Sequence, residues 1–406
     1  MARLEGVRFV LWGFPEATQT FIHREFQEML RQGLRVQILA GARRDLVSQP
    51  EDIQEISKHD TIYLGNPVAW FLKGLLVGAF GPYPFFKVLF RMAKFPHKDF
   101  LHRLRALAMV VAAASVAGKV RKSGTKHLQA HFGSYPTEWA MALAWMLGIT
   151  YGGTWHAVDI WKDANILAQK IHYAEVVFTC TKFNADHLQK LAGSDSGKVV
   201  LSYHGLDFSR LPEPEPISGT GNSIIAIGRL VPKKGFKFLL EALSILKNRG
   251  QHVSLTIVGN GPLLKELETE ACELGLENQV VFVGSLSNAK TLALINSSSL
   301  LVAPSIRGEG GNIDGIPNVV LESMALARPV IGSKISGIPE VVSEATGALV
   351  EEASAPEIAD ALAKLLGDRE LLETRGRNAL AFVHEHFDVR KNIAVQLGGF
   401  EKILSR

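Results

Sequence analysis

From Ser223 onward the chain alternates short β-branched runs with longer amphipathic stretches: SIIAIG, FKFLLEALSILKN, VSLTIVG, PLLKELETEACELG and QVVFVG, and on through SLLVAPS and PVIGS to GALV. The apolar runs carry no polar alternation, which suits strands buried on both faces. Strands that alternate with helices imply a parallel sheet built from crossovers. The first part of the chain follows the same grammar. VRFVLW and VQILA read as strands around a helix near Thr20–Arg31. A long helix near Leu101–Lys122 is followed by HLQAHF, a further helix, ITYGGTWH and VVFTC. Between the two series lies DFSRLPEPEPISGTGN, residues 207–222, rich in Pro, Gly and Ser and without apolar periodicity, as a linker is. A chain of 406 residues, 47% hydrophobic, also exceeds one ordinary core. The expected fold class is α/β, with two doubly wound parallel-sheet domains at 1–211 and 212–386 and a last helical segment at 387–406. In such sheets ligands bind beyond the carboxyl ends of the strands, so the loops there are the places to search.

The net charge of +4 is a mild basic excess. It suits anionic small molecules or an anionic membrane surface and is too weak to argue for nucleic acid. The two cysteines, Cys180 and Cys272, are far apart and form no CxxC pair, so neither a disulfide nor a zinc site is expected and a reducing, cytoplasmic setting fits. The opening MARLEGVRFVLWGF reads as a first strand, not a secretion signal. The apolar stretch from Pro67 to Phe90 is broken by Lys73, Pro82 and Pro84 and falls short of the ~20 apolar residues of a spanning helix. Within Trp70–Arg105, Lys87, Arg91, Lys94 and Lys98 step along a helical face among many aromatics. That pattern fits a peripheral contact with an anionic membrane, at the inner face of the plasma membrane, and equally aromatics packed inside the first domain.

Three loops carry chemistry. GRLVPKKG, Gly228–Gly235, sets Arg229, Lys234 and a second lysine at a strand end before a helix entry, a combination that binds phosphate. It matches neither GxxxxGK[ST] nor GxGxxG. VGNGPL supplies Gly259 and Gly261, which suit close backbone approach to a ligand or a plain tight turn. DGIPNVVLE holds Asp314 in an approach loop and Glu322 inside a helix whose first position suits Pro317. Asp near a helix start is also commonly only a dipole partner or cap.

Taken together, GRLVPKKG and DGIPNVVLE resemble glycosyltransferase family 4, retaining nucleotide-sugar enzymes of the GT-B fold, in which two Rossmann-like domains face each other across a cleft. FPEATQTFIHREF, HLQAHFG and GTWHAVDIW are similar to the family's branch that builds exopolysaccharide or lipopolysaccharide. The resemblance implies Arg229 and Lys234 on the donor diphosphate and Glu322 on the ribose. It implies Asp314 in place of the family's first Glu at the sugar, and His156 near the reaction centre. Pro317 has no N–H, so Ile316 or Asn318 would donate a backbone bond to the ligand. Ser323 replaces the first Ala of the family's EAMAxG, and Asp314 is one methylene shorter than Glu. His131 reads equally as a buried core residue, and His204, where the family has Asn-Gly-Val-Asp, as a turn residue. The implied partners are a UDP- or GDP-sugar and a sugar or lipid-linked sugar acceptor. No cofactor and no metal are expected, since no DxD-type loop is present. A GT-B sugar-nucleotide epimerase and a non-catalytic sugar-nucleotide sensor share the donor loop and are the rival readings.

Overall fold

In the computed structural model, the structure describes residues 4–16, 19–44, 51–217 and 222–406. They form two compact units: Met1–Gly205 with Val389–Arg406, and Leu206–Asp388. The last helix, Val389–Leu404, therefore belongs to the first unit.

The first unit is a seven-stranded parallel sheet. Its strands are β1 (Val7–Phe14), β2 (Gln37–Arg43), β3 (Thr61–Tyr63), β4 (His127–His131), β5 (Thr150–Trp155), β6 (Val177–Thr179) and β7 (Val199–Leu201), in the order β3-β2-β1-β4-β5-β6-β7. The order reverses between β1 and β4, the doubly wound pattern. Strand alternation divides the core. Val7, Phe9 and Leu11 pack on one face with helix Thr20–Arg31 and with Ile393, Leu397 and Phe400. Val10 and Leu128 pack on the other with helices Phe100–Lys122 and Tyr135–Leu147. Phe400 is fully buried, its ring edge-on to Phe9 at 6.0 Å and to Phe178 at 5.8 Å. Helix Phe100–Lys122 is long and apolar enough to cross a membrane by composition, but Ala106, Val110, Ala113 and Ala117 lie in this core.

The second unit is a six-stranded parallel sheet: β8 (Ser223–Ile227), β9 (Ser254–Val258), β10 (Val280–Gly284), β11 (Leu300–Ala303), β12 (Val330–Ser333) and β13 (Gly347–Val350), ordered β10-β9-β8-β11-β12-β13. Here the reversal falls between β8 and β11.

Much of the stretch read as a linker is fastened to this second unit. Ile217 is buried in its core, and Arg369 donates to the Ile217 carbonyl at 2.6 Å. Arg328, 2% exposed, donates to the carbonyls of Glu215, at 2.6 Å, and of Asn296. The Asn296 amide in turn donates to Glu213 O at 2.8 Å. A Pro-rich segment has few amides to pair, but its carbonyls remain good acceptors for arginine. Residues 218–221 of that stretch, and Ala17 and Thr18 of FPEATQTF, lie outside the described residues.

Candidate active site

In the second unit the chemistry-bearing loops follow β8, β9 and β11, and β8 and β11 are the two strands that flank the reversal. Sequence and geometry agree on why glycine stands at the turns. Gly235 has φ +67°, and a Cβ there would sit 1.8 Å from Pro304 O, so the loops after β8 and β11 touch backbone to backbone. Ile306 N donating to Lys233 O at 2.9 Å ties them further. Gly259, at φ +141°, would bring a Cβ within 1.9 Å of Gly228 O, and Gly261 within 2.4 Å of Leu230 O. Both glycines are thus required by packing against the Arg229 loop.

Lys234 and Asp314, taken from separate motifs, meet here. Asp314 Oδ2 lies 2.8 Å from Lys234 Nζ, and its Oδ1 lies 2.7 Å from Lys233 Nζ. Lys233, not singled out from the sequence, also donates to Asn312 Oδ1 at 3.3 Å. Partial burial pushes the Asp314 pKa upward, but the two ammonium groups outweigh it and hold the carboxyl below its ordinary range. Arg229 is exposed at the rim of the same loop.

Pro317 is not the first helical residue. It adopts φ −63°, ψ 132°, an extended conformation, and the helix runs Asn318–Ala325. Proline fixes φ but leaves ψ free, and the extended ψ turns the chain in from Ile316 before the first turn. Ile316 and Asn318 are half-buried at this entry, and Glu322 is buried at 5% exposure one turn in. The Ser323 hydroxyl donates at 3.3 Å to Arg328 O, just beyond the helix end.

The first unit gathers a second group of residues. His156 directly follows β5, Cys180 directly follows β6, and His204 lies just beyond β7, three adjacent strands. His156 Nδ1 is 3.3 Å from His204 Nε2 and 3.9 Å from Cys180 Sγ. His204 Nδ1 is 2.7 Å from Glu25 Oε1 on helix Thr20–Arg31. The rings of His131, His156 and His204 stack in sequence, with centroids 6.1 and 5.1 Å apart. Burial, then the neighbouring His204 and His131, holds the His156 pKa well below its ordinary value, so the ring is neutral at pH 7. Burial would lower His204 too, but Cys180 and the Glu25 carboxylate raise it instead, to about 10.

The loop of HFG is shaped to this group. Phe132 takes φ 75°, unusual without glycine, and sets its ring 4.9 Å from His156. Asp159, from VDIW, accepts from the amides of Gly133 and, at 3.2 Å, of His156. Burial raises its pKa to about 7 against these amides and Lys170. Thr154, grouped with His156 by sequence, instead accepts from Gln129 Nε2 at 3.0 Å. Below this layer Lys170 is fully buried on Glu138, 3.0 Å away, and donates to Gly133 O at 2.6 Å. His131 is a fully buried ring at the end of β4. His204 is more than a turn residue, and no local pattern distinguishes it; only its position after β7 brings it to Glu25 and His156.

The segment Trp70–Arg105 divides between the two readings open for it. Phe85, Val88 and Met92 are buried, and Arg91 turns inward to stack on Trp145 and Tyr173 at 4.1 and 4.2 Å. Arg91 is thus not part of a solvated basic face, because the aromatic rings offer it a better partner than water. Yet eleven of the fifteen exposed large hydrophobics among the described residues fall between Val68 and Leu104.

Residues 207–382 match the family model described as Glycosyl transferases group 1. The match covers under half of the chain and marks these residues as similar to the group 1 glycosyl transferases. The matched region coincides with the second unit and its Lys233–Lys234–Asp314 loops. The amylovoran biosynthesis glycosyltransferase AmsK of Erwinia amylovora is 34% identical over 143 residues, 35% of each chain. Alpha-D-kanosaminyltransferase of Streptomyces kanamyceticus is 32% identical over 157 residues, 38% of this chain and 39% of its own. The chain spans about half or less of the length of the curated relatives it matches. Anabaena Alr3699/HepE, solved in complex with UDP, superposes with a TM-score of 0.71 at 17% identity, covering 97% of this chain and 100% of its own. That likeness assigns the fold: GT-B, two domains each built on a doubly wound parallel sheet.

Proposed function

We propose that the protein is a retaining glycosyltransferase that moves a sugar from a UDP- or GDP-sugar to an acceptor hydroxyl in cell-surface polysaccharide or glycolipid biosynthesis. One observation carries the reading: two lysines, an exposed arginine and a helix entrance converge beyond β8 and β11, where the sheet reverses its winding. Departure of the nucleoside diphosphate builds negative charge on its terminal phosphate. Arg229, Lys233, Lys234 and the amides at Ile316 and Asn318 can stabilise that charge. In this proposal the diphosphate takes over the lysine contacts that Asp314 holds in the unliganded chain. Asp314 is then released toward the donor sugar, and Glu322 accepts the ribose hydroxyls from a rigid helix. No metal is assigned to this step. The role that the family resemblance gives His156, beside the sugar, is part of the same proposal. UDP in the HepE complex and the polysaccharide named for AmsK support the donor and acceptor classes.

The exposed apolar residues of helices Pro67–Phe80, Phe85–Ala93 and Phe100–Lys122, flanked by Lys73, Lys87 and Lys94, support a peripheral contact with anionic lipid at the inner face of the plasma membrane. Such a contact would present a lipid-linked acceptor. Sedimentation with anionic vesicles at low salt tests it; a chain left in the supernatant overturns it.

The central test is a thermal-shift series with nucleoside diphosphates and nucleotide sugars. A donor at a hundred times its Kd stabilises by roughly 2.7 kcal/mol. Lys234→Ala should abolish the shift, and no shift with any nucleotide refutes the assignment. Sugar that moves only within the nucleotide, never to an acceptor, would favour an epimerase. A His156→Ala variant with full transfer would remove that residue from the chemistry.

A further inference from the structure

We infer that His156, Cys180 and His204 form a binding site for a borderline-soft divalent cation of the zinc class, separate from the diphosphate loops of the second unit. The strand order delivers the three ligands. Each stands at the carboxyl edge of one of the neighbouring strands β5, β6 and β7, so a single ion would cross-link three adjacent loop origins. The ligand atoms Nδ1, Sγ and Nε2 all lie within 4.8 Å of one another.

The spacing fits a tetrahedral ion. Zinc-to-nitrogen bonds near 2.05 Å and zinc-to-sulfur bonds near 2.3 Å give tetrahedral edges of about 3.3 Å between nitrogens and about 3.6 Å between nitrogen and sulfur. His156 Nδ1 and His204 Nε2 are 3.3 Å apart, and Cys180 Sγ is 3.9 Å from His156 Nδ1. The Cys180 Sγ–His156 Nδ1 edge is within about 0.3 Å of that value, and with every pair inside 4.8 Å, closing the remaining edge to Cys180 asks for a shift of at most about 1.2 Å.

Two further features favour a ligand over a plain hydrogen-bonded pair. The far nitrogen of His204 is held by Glu25 Oε1 at 2.7 Å, and Glu25 is 3% exposed. A buried carboxylate on the outer nitrogen fixes the tautomer of a metal-bound histidine and raises its basicity. Phe21 and Phe132 pack their rings 5.0 and 4.9 Å from His156, walling off competing water. Imidazole with thiolate selects zinc, cobalt or copper(I) and not magnesium or calcium. On binding, the ion replaces the proton between the two imidazoles and the thiol proton of Cys180, and both protons pass to solvent. The fourth position is left for water or another donor.

The test reads metal directly and needs no transfer assay, so it stands or falls independently of the proposed activity. The full chain, freed of metal with a chelator, is titrated with Zn2+, and then with Co2+ for its optical spectrum. The expected result is one ion per chain and a thiolate-to-cobalt charge-transfer band. That band should vanish in Cys180→Ala and persist in Cys272→Ala, whose thiol is exposed and remote in sequence. Glu25→Gln should keep the band while weakening affinity about 10- to 100-fold. Failure of the wild-type chain to retain zinc against micromolar free Zn2+ overturns the site. So does a band that survives in a folded Cys180→Ala chain. If Cys180→Ala does not fold, Glu25→Gln decides: unchanged affinity overturns the site.

Discussion

Replacing Gly235 by alanine should separate the cost of a left-handed backbone from the cost of forcing two loops apart. Gly235 and Gly250 share a left-handed conformation, φ +67° and +77°, but differ in surroundings. A Cβ on Gly250 meets nothing within 4 Å, whereas one on Gly235 would fall 1.8 Å from Pro304 O. Gly250→Ala therefore carries only the left-handed penalty of about 1–2 kcal/mol, partly offset by a stiffer unfolded chain. Gly235→Ala carries the same terms and must also open the contact with Pro304 from 1.8 Å to beyond 3.0 Å. That opening strains the Ile306 N to Lys233 O bond, now 2.9 Å. Overpacking of about 1–3 kcal/mol and a weakened backbone hydrogen bond of about 1 kcal/mol together predict an excess of roughly 2–4 kcal/mol over Gly250→Ala. For a unit of this size the excess lowers the melting temperature by about 4–16 °C. Calorimetric melting of both variants measures it, and diphosphate titration reads the second consequence. Gly235→Ala should lose affinity because its lysines shift, while Gly250→Ala should not. Equal melting shifts, or intact affinity in Gly235→Ala, would refute the argument.

Asp314→Asn removes the one carboxylate that engages both Lys233 and Lys234, so free nucleoside diphosphate should bind more tightly; unchanged or weaker binding by calorimetry would sink the exchange of partners proposed above. Acid should weaken the first unit before it titrates ordinary carboxylates. Burial holds His127 at about 4 against its usual 6.5, so the unfolded chain binds the extra proton between those values. Stability is then full above pH 6.5 and falls by roughly 3 kcal/mol on the way to pH 4, and a folded His127→Gln variant should show a flatter pH–stability curve. Lys170→Met leaves Glu138 charged, buried and unpaired and should cost about 3–5 kcal/mol in denaturant unfolding. Adding Glu138→Gln should recover part of that loss; strict additivity of the two would argue against the pair.

The alternation of β-branched runs and helices was legible in the chain, because burial on both faces leaves a continuous apolar signature. Turn chemistry was legible for a similar local reason, so the glycines and lysines of GRLVPKKG marked a strand-to-helix loop. The resemblance added the expected roles of Arg229, Lys234 and Glu322. The three-residue strands β3 and β7 gave no periodic signal of their own, whereas β6, equally short, stood out through the apolar run VVFTC. Pro317 was misjudged by one position, since proline restricts φ at both a helix entry and the extended residue before it, and ψ decides between them. Partner choice was out of reach altogether. That Asp314 closes on Lys233 and Lys234, and that Arg328 fastens the Pro-rich segment, depends on side chains converging from loops remote in sequence. His204, His156, Cys180 and Glu25 meet for the same reason: local sequence sets which residue ends each strand, but only the nonlocal order β5-β6-β7, with helix Thr20–Arg31 packed on that sheet, decides which of those ends become neighbours.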